Sequence, residues 1–434
     1  MNNNKQKKAA LNYVQSIFYP SVNDLVSEFK LPVQKFVHQM IFGIIKSRSV
    51  IAQRIGISLE EKLKLKKTCE RLYRNLKDRV FLYSFLMLSH MQKTSSSIEE
   101  TTPIFLDLSD IAKPEAEKMK GLSRVWDGSE GKTNKGYYTL QASFCNPENP
   151  RSVRLYYSDL FSLEEENVSE NEKILEFIHQ SAILTGNKGI YVGDRGFDRE
   201  RLLTDMIEND NSFIVRGNER HLLFNNKSMS YKEIAEQTKL VCEVISKSRT
   251  FKANIVEVGY KLPNSPARKH KPKRRVKLHL VIAKEEGKGF VYYLCRFRKQ
   301  YSKEEMIRMA IQYYGMRWSI EEVHRQLKQD FGWEKMQLLT YTSLKNMNAL
   351  LWLAASFIYN EVRKIAVYLI KRLPGRMLYR NFNKEINKNL YYRLTDSVSY
   401  LFGLFLLRPK QKYKGKHSKY IRKNSQLIIN LKQI

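Results

Sequence analysis

Three acidic residues far apart in the chain, Asp107, Asp194 and Glu321, sit where a carboxylate needs a reason. Asp107 interrupts the apolar run IFLDLS, and a charge there is costly unless a partner or a cation stabilises it. Asp194 closes the buried run GIYVG, at the carboxyl end of a strand, where α/β folds collect ligands. Glu321 lies in YGMRWSIEEVHRQLK, residues 314–328. As a helix turning roughly 100° per residue, that stretch places Tyr314, Arg317, Glu321 and Lys328 within about 60° of one another. Glu322 falls about 100° away, toward the opposite flank. Carboxylates gathered from separate elements can hold a pair of divalent ions about 3.5–4 Å apart, the arrangement that serves phosphoryl transfer. Magnesium suits such a set because it prefers carboxylate and water oxygens. Plainer roles compete: Asp107 as a strand-end carboxylate bonded to amides, Asp194 as a cap for the segment near Phe197, and the helix face as solvated charge. Asp198 suits the capping role better than Asp194.

The elements that must position these residues are written in the pattern around them. Apolar strand-like runs cover 103–109, 137–144 and 152–160. An amphipathic helix over Ser169–Leu184, ended by Gly186, leads to a strand at 189–193, a helix near 198–209 and a strand at 212–215. The helix carrying Glu321 spans about 302–331: Ser302 with Glu305 makes a capping box, and Gly332 stands where a C-terminal cap belongs. Its buried flank is Met309, Met316, Ile320, Val323 and Leu327. Three strands, a helix, a strand, a helix, a strand and a helix is the order of an α/β, ribonuclease H-like fold.

Between the last strand and that helix lie roughly 85 residues, 217–301, with strand-like runs at 275–283 and 290–297. So long a passage is not expected to be structureless inside a compact domain, and it reads as a β-rich insertion subdomain. The basic stretch 266–277 within it fits a DNA-contacting loop. Residues 1–100 read as a helical, DNA-binding domain, with segments near 20–30, 33–47 and 59–92. IAQRIGIS after Ser47–Val50 has the look of a small helix-turn-helix, and the basic segment 62–79 could lie on phosphates. The expected organisation is therefore 1–100, a core of 101–216 with 302–372, the insertion 217–301, and a basic region 373–434. From Ser397 onward there is no Asp or Glu, while Lys410, Lys412, Lys414, Lys416, Lys419 and Arg422 follow, as in a nucleic-acid arm.

Composition narrows the partner. The chain of 434 residues carries 76 Lys and Arg against 44 Asp and Glu, a formal charge of +32, which points to a polyanion. The 25 Tyr and 21 Phe fit nucleic acid as stacking groups. Four cysteines, Cys69, Cys145, Cys242 and Cys295, are too scattered for a zinc site or a disulfide framework. The longest apolar run, Ala349–Tyr359, is too short to span a bilayer, and MNNNKQKKAA is no signal sequence. A cytoplasmic, nucleoid-associated protein with no membrane partner is expected.

The spacing Tyr-x2-Arg-x3-Glu-x6-Lys, with DRG after the second strand and RWSIE around Glu321, resembles the signature of DDE transposases from bacterial insertion sequences. The similarity covers roughly residues 100–370. It implies that Asp107, Asp194 and Glu321 are catalytic and bind Mg2+, with Mn2+ as a substitute. It also implies that Tyr314, Arg317 and Lys328 grip phosphates at the element's end. Implied partners are double-stranded DNA, both terminal inverted repeats and target, and a second copy of the chain to pair the ends. Some relatives stack a flipped base on an insertion tryptophan, but Trp126, Trp318, Trp333 and Trp352 all lie outside 217–301. Phe290, Tyr292 or Phe297 would have to provide that platform. Another nuclease of the same fold, or an inactive DNA-binding relic, are the alternatives.

Overall fold

The computed structural model describes residues 2–127, 131–263, 274–365, 382–404 and 407. Most of the basic stretch 266–277, and the lysine-rich block after Arg408, lie outside the described residues. Five helices come first: α1 (Asn2–Val26), α2 (Leu31–Ser47), α3 (Ala52–Ser58), α4 (Leu65–Asp78) and α5 (Leu82–Ser95). The helix expected near 20–30 is the end of the longer α1, whose buried Ala10, Val14, Phe18 and Val22 recur every four residues. The helix expected over 59–92 is broken. Asn346, fully buried, donates to the carbonyls of Leu76 and Arg79 and accepts from the amide of Tyr83. One side chain thus serves the end of α4 and the start of α5, where groups would otherwise be orphaned.

The next elements are β1 (Pro103–Ala112), β2 (Ser123–Asp127), β3 (Lys132–Asn146), β4 (Asn149–Phe161), α6 (Leu163–Glu166), α7 (Glu170–Thr185), β5 (Ile190–Gly193), α8 (Glu200–Glu208) and β6 (Ser212–Arg216). Ser169 caps α7 through a reciprocal box with Glu172, and Gly186 ends it at φ +66°, a left-handed conformation that suits glycine. Residues 217–301 supply β7 (His221–Phe224), β8 (Lys227–Ser230), α9 (Tyr231–Glu236), β9 (Cys242–Ser246), β10 (Arg249–Lys261), β11 (Arg275–Glu285) and β12 (Phe290–Arg296). Helices α10 (Lys303–Asp330), α11 (Tyr341–Ser356) and α12 (Phe382–Gly403) follow. Among the described residues no helix is long and apolar enough to cross a membrane.

All twelve strands form one sheet in the order β2-β3-β1-β5-β6-β12-β11-β10-β7-β8, with β4 on β3 and β9 on β10. β1, β5 and β6 run parallel, β3 and β4 alternate against them, and β12 joins β6 antiparallel. The strands of 217–301 therefore continue the sheet. Strand alternation divides β1 between two cores: Ile104 and Leu106 enter the large one, and Phe105 enters a smaller one built with Met306, Ile307, Ala310, Ile311 and Ile320 of α10. Asp107 shares the face of Phe105, so the register that buries the strand also aims this carboxylate at α10.

Candidate active site

Parallel pairing between β1 and β5 ends at Phe105 opposite Val192. Two residues further along each strand stand Asp107 and Asp194, at the carboxyl end of the parallel strands. The chain turns sharply after Asp194, whose carboxylate accepts from the amide of Gly196 at 2.8 Å and so caps the short turn Arg195–Phe197. The capping role expected to suit Asp198 falls to Asp194. Asp198 is instead buried and accepts from Arg220 Nε at 2.8 Å, Tyr231 Oη at 3.1 Å and the Asn218 amide at 2.8 Å, anchoring 217–231 to the core.

Helix α10 crosses over this strand end. Ser302 starts it with the expected box: its hydroxyl accepts from the Glu305 amide and the Glu305 carboxylate accepts from the Ser302 amide. Four turns on, Arg317 Nη1 donates to Asp107 Oδ1 at 2.9 Å and Nη2 donates to Glu321 Oε1 at 2.5 Å. Both Arg317 and Asp107 are largely buried, with side chains 10% and 13% exposed, so water screens this pair poorly. Asp194 interacts electrostatically with Asp107 and Arg317. Glu322 points outward, accepting from Trp318 Nε1 at 3.0 Å and pairing with Arg325.

Burial raises the pKa of Asp194 above the ordinary carboxylate range; repulsion from Asp107 adds to this, and Arg317 only partly offsets it. Burial also raises Glu321, against the attraction of Arg317. Arg317 moves the other way: burial would lower it, but Asp107, Tyr314, Glu321 and Asp194 together hold it above its usual value. A carboxyl whose pKa is higher folded than unfolded stabilises the fold while protonated, and that contribution is lost as pH rises through the raised pKa. An Asp194→Asn variant keeps the acceptor for Gly196 and removes the charge. At neutral pH its melting temperature should rise, by roughly 2–4 °C if the relief is about 1 kcal/mol. A lower melting temperature would mean that attraction to Arg317 outweighs desolvation.

The remaining expected contacts divide. Tyr314 is held between two guanidinium groups, Arg216 at 5.5 Å and Arg317 at 5.6 Å from its ring, and its hydroxyl accepts from Arg216 Nη1 at 3.1 Å. Lys328 is on the same face but turned to Glu334 at 2.8 Å. Sequence reasoning missed His324, which is buried, packs at a tilt against Trp333, and places Nδ1 3.2 Å from Asp107 Oδ2. Its signal was available, since His324 follows Glu321 by one helical turn. It missed Arg216, whose partner Tyr314 is 98 residues away in sequence. Phe290 and Tyr292 stack on one another, Tyr292 stacks on Tyr231, and Phe297 packs edge-on against Tyr301, so all three expected platform residues already have ring partners.

The three carboxylates are not preassembled as ligands. Among the described residues no group of three or more His, Cys, Asp and Glu is close enough to hold a metal ion. Arg317 instead supplies the positive charge, bridging Asp107 and Glu321. The donor chemistry nevertheless fits a hard divalent cation: three carboxylates come from β1, the β5 end and α10, and burial raises the pKa of Asp194 and of Glu321.

Residues 155–358 match the model of the family described as transposase DDE domain. That stretch contains Asp194 and Glu321 and begins after Asp107. No curated protein matches the chain.

Proposed function

We propose that the chain is a DDE transposase that cuts DNA at the ends of an insertion element and joins the freed 3′ hydroxyls to target DNA. The observation that carries this reading is the ion-paired bridge Asp107–Arg317–Glu321 beside Asp194, at the carboxyl end of the parallel strands and inside or next to the matched region. We read β4-β3-β1-β5-β6, three antiparallel strands followed by two parallel ones, as a ribonuclease H-like core. On this reading the core is 101–216 with 302–372, flanked by a helical domain to residue 100, the β-rich insertion 217–301 and the basic region 373–434.

Asp107, Asp194 and Glu321 would hold Mg2+, or Mn2+ in its place. When bound, the ions lower the pKa of an attacking water or hydroxyl and stabilise the leaving oxygen. The protein's own part is arrangement. Gly196 fixes one oxygen of Asp194, and His324 together with Arg317 fixes both oxygens of Asp107. Arg317 presents a planar fork suited to phosphate and would exchange Asp107 and Glu321 for the DNA backbone. Lys328 would leave Glu334 to add a point charge, and Tyr314 would keep the Arg317 guanidinium in place. Two copies would pair the two ends.

The test is to incubate the purified protein with magnesium, a labelled duplex carrying the element's own end and a supercoiled plasmid. Joined products are expected. Cleavage of branched DNA without joining would favour another nuclease of this fold, and binding without cleavage an inactive relic.

A further inference from the structure

The tip of the β9–β10 hairpin lies against the middle of α10. Ser246 pairs with Arg249, so the turn has only two residues, Lys247 and Ser248, at φ +47° and +63°. Both values are left-handed, the geometry of a type I′ turn, in which Asn-Gly is the favoured pair. A lysine and a serine there keep the chain in a conformation that L side chains resist, and such local strain is a feature of functional sites.

The turn is seated on α10. Gln312 Nε2 donates to the Ile245 carbonyl at 3.4 Å, and Ser246 Oγ would lie 2.7 Å from a Cβ on residue 315, so the absence of a side chain at Gly315 leaves room for the serine hydroxyl. Gly315 is between Tyr314 and Arg317 in sequence, one turn of helix before Ser319 and two residues from the guanidinium that bridges the carboxylates. Lys247 is exposed and makes no ion pair among the described residues. Although its side chain reaches solvent, nearby protein partly desolvates the ammonium and with Arg249 lowers its pKa, and its charge also interacts with Glu321, Glu322 and Arg317. The ammonium is therefore beside the carboxylate cluster, without a partner of its own, on a segment more than fifty residues before α10.

We propose that Lys247 is a substrate-contacting residue: it binds a backbone phosphate of the DNA strand as that strand enters over Arg317 and Glu321. The inference rests on the transposase reading for the identity of the strand, but not on catalysis. An ammonium with three rotatable donors suits a phosphate whose exact approach varies between strands, while the fork of Arg317 fixes the one at the bond to be cut. The hairpin then links the insertion to the reaction centre through a single charge.

The double variant Lys247→Asn/Ser248→Gly separates this role from a structural one, because it gives the turn its favoured residues. It is expected to melt at a higher temperature than the wild type. At the same time it should bind a duplex carrying the element's end about tenfold more weakly, with the slope of log affinity against log salt reduced by about one. Lys247→Arg should restore most of both. Equal affinity and an unchanged salt slope in the double variant would overturn the proposal. So would a double variant that melts lower and binds weaker in proportion, since the turn would then be structural only. Binding is measured with a chelator present and cutting separately with magnesium, so a wild type that binds in the first and never cuts in the second removes the transposase reading and leaves the Lys247 contact judged on its own.

Discussion

Replacing Asp107 by Asn, Asp194 by Asn or Glu321 by Gln is expected to slow single-turnover cleavage of the element's end by at least about 10³-fold, equivalent to roughly 4 kcal/mol of transition-state stabilisation. Each substitution retains shape and removes one anionic oxygen from the set that would hold the ions. The losses should not add when two are combined, because residues acting as a unit are non-additive. Duplex binding should stay within about threefold of the wild type, since affinity comes mainly from the excess of basic side chains. Asp107 is the most informative of the three, as it stands outside the matched region and owes its assignment to sequence pattern and geometry alone. A variant that cuts within tenfold of the wild-type rate would remove its residue from the site.

Arg317→Ala is expected to act in opposite directions on two measurements. The guanidinium neutralises Asp107 and Glu321 in the DNA-free protein and so competes with a divalent cation for the same oxygens. Without it, Mn2+ titrated calorimetrically into the DNA-free protein should bind about tenfold more tightly. In chelator the variant should lose about 3 kcal/mol of stability, because Asp107 is left in a largely buried place with its main partner gone. Millimolar Mn2+ should restore much of that loss, as any ligand of the native state does. Cleavage should nevertheless fall by about 10³-fold, the order expected when an arginine that stabilises charge on a transferring phosphoryl group is lost. Arg317→Lys, which keeps the charge but not the fork, should be intermediate in both. Unchanged Mn2+ affinity in the alanine variant would show that the arginine does not exclude cations. DNA would then not be needed to expose the carboxylates.

The parts of this site that were legible in the sequence are those fixed by local rules. The box at Ser302 and Glu305 sets the start of α10, and 3.6-residue periodicity then decides which side of the helix Glu321 shares with Arg317. An aspartate in the middle of an apolar strand was readable as well, because alternation fixes the face on which it emerges. What was not legible depends on distance in the chain. The break between α4 and α5 is made by Asn346, more than two hundred residues later, so no local pattern reveals it. Asp198 looked like a cap because it precedes a helix, but Arg220 and Tyr231 claim it from beyond β6. Arg317 read as a phosphate ligand, and only tertiary structure turns it inward onto the acidic residues. Lys247 and Arg216 carry no signal of their own, since a basic chain has dozens of residues like them.

Because β12 bonds directly to β6, the segment between Gly217 and Tyr301 is also the lateral cover of the central strands. Excising it, or exchanging it for a shorter linker from another protein, would leave Phe213, Ile214 and Val215 along an open margin able to recruit a strand from any neighbouring molecule. Changes that spare the fold are thereby expected at the outer strands and tips of this segment, with the inner two kept as a seam.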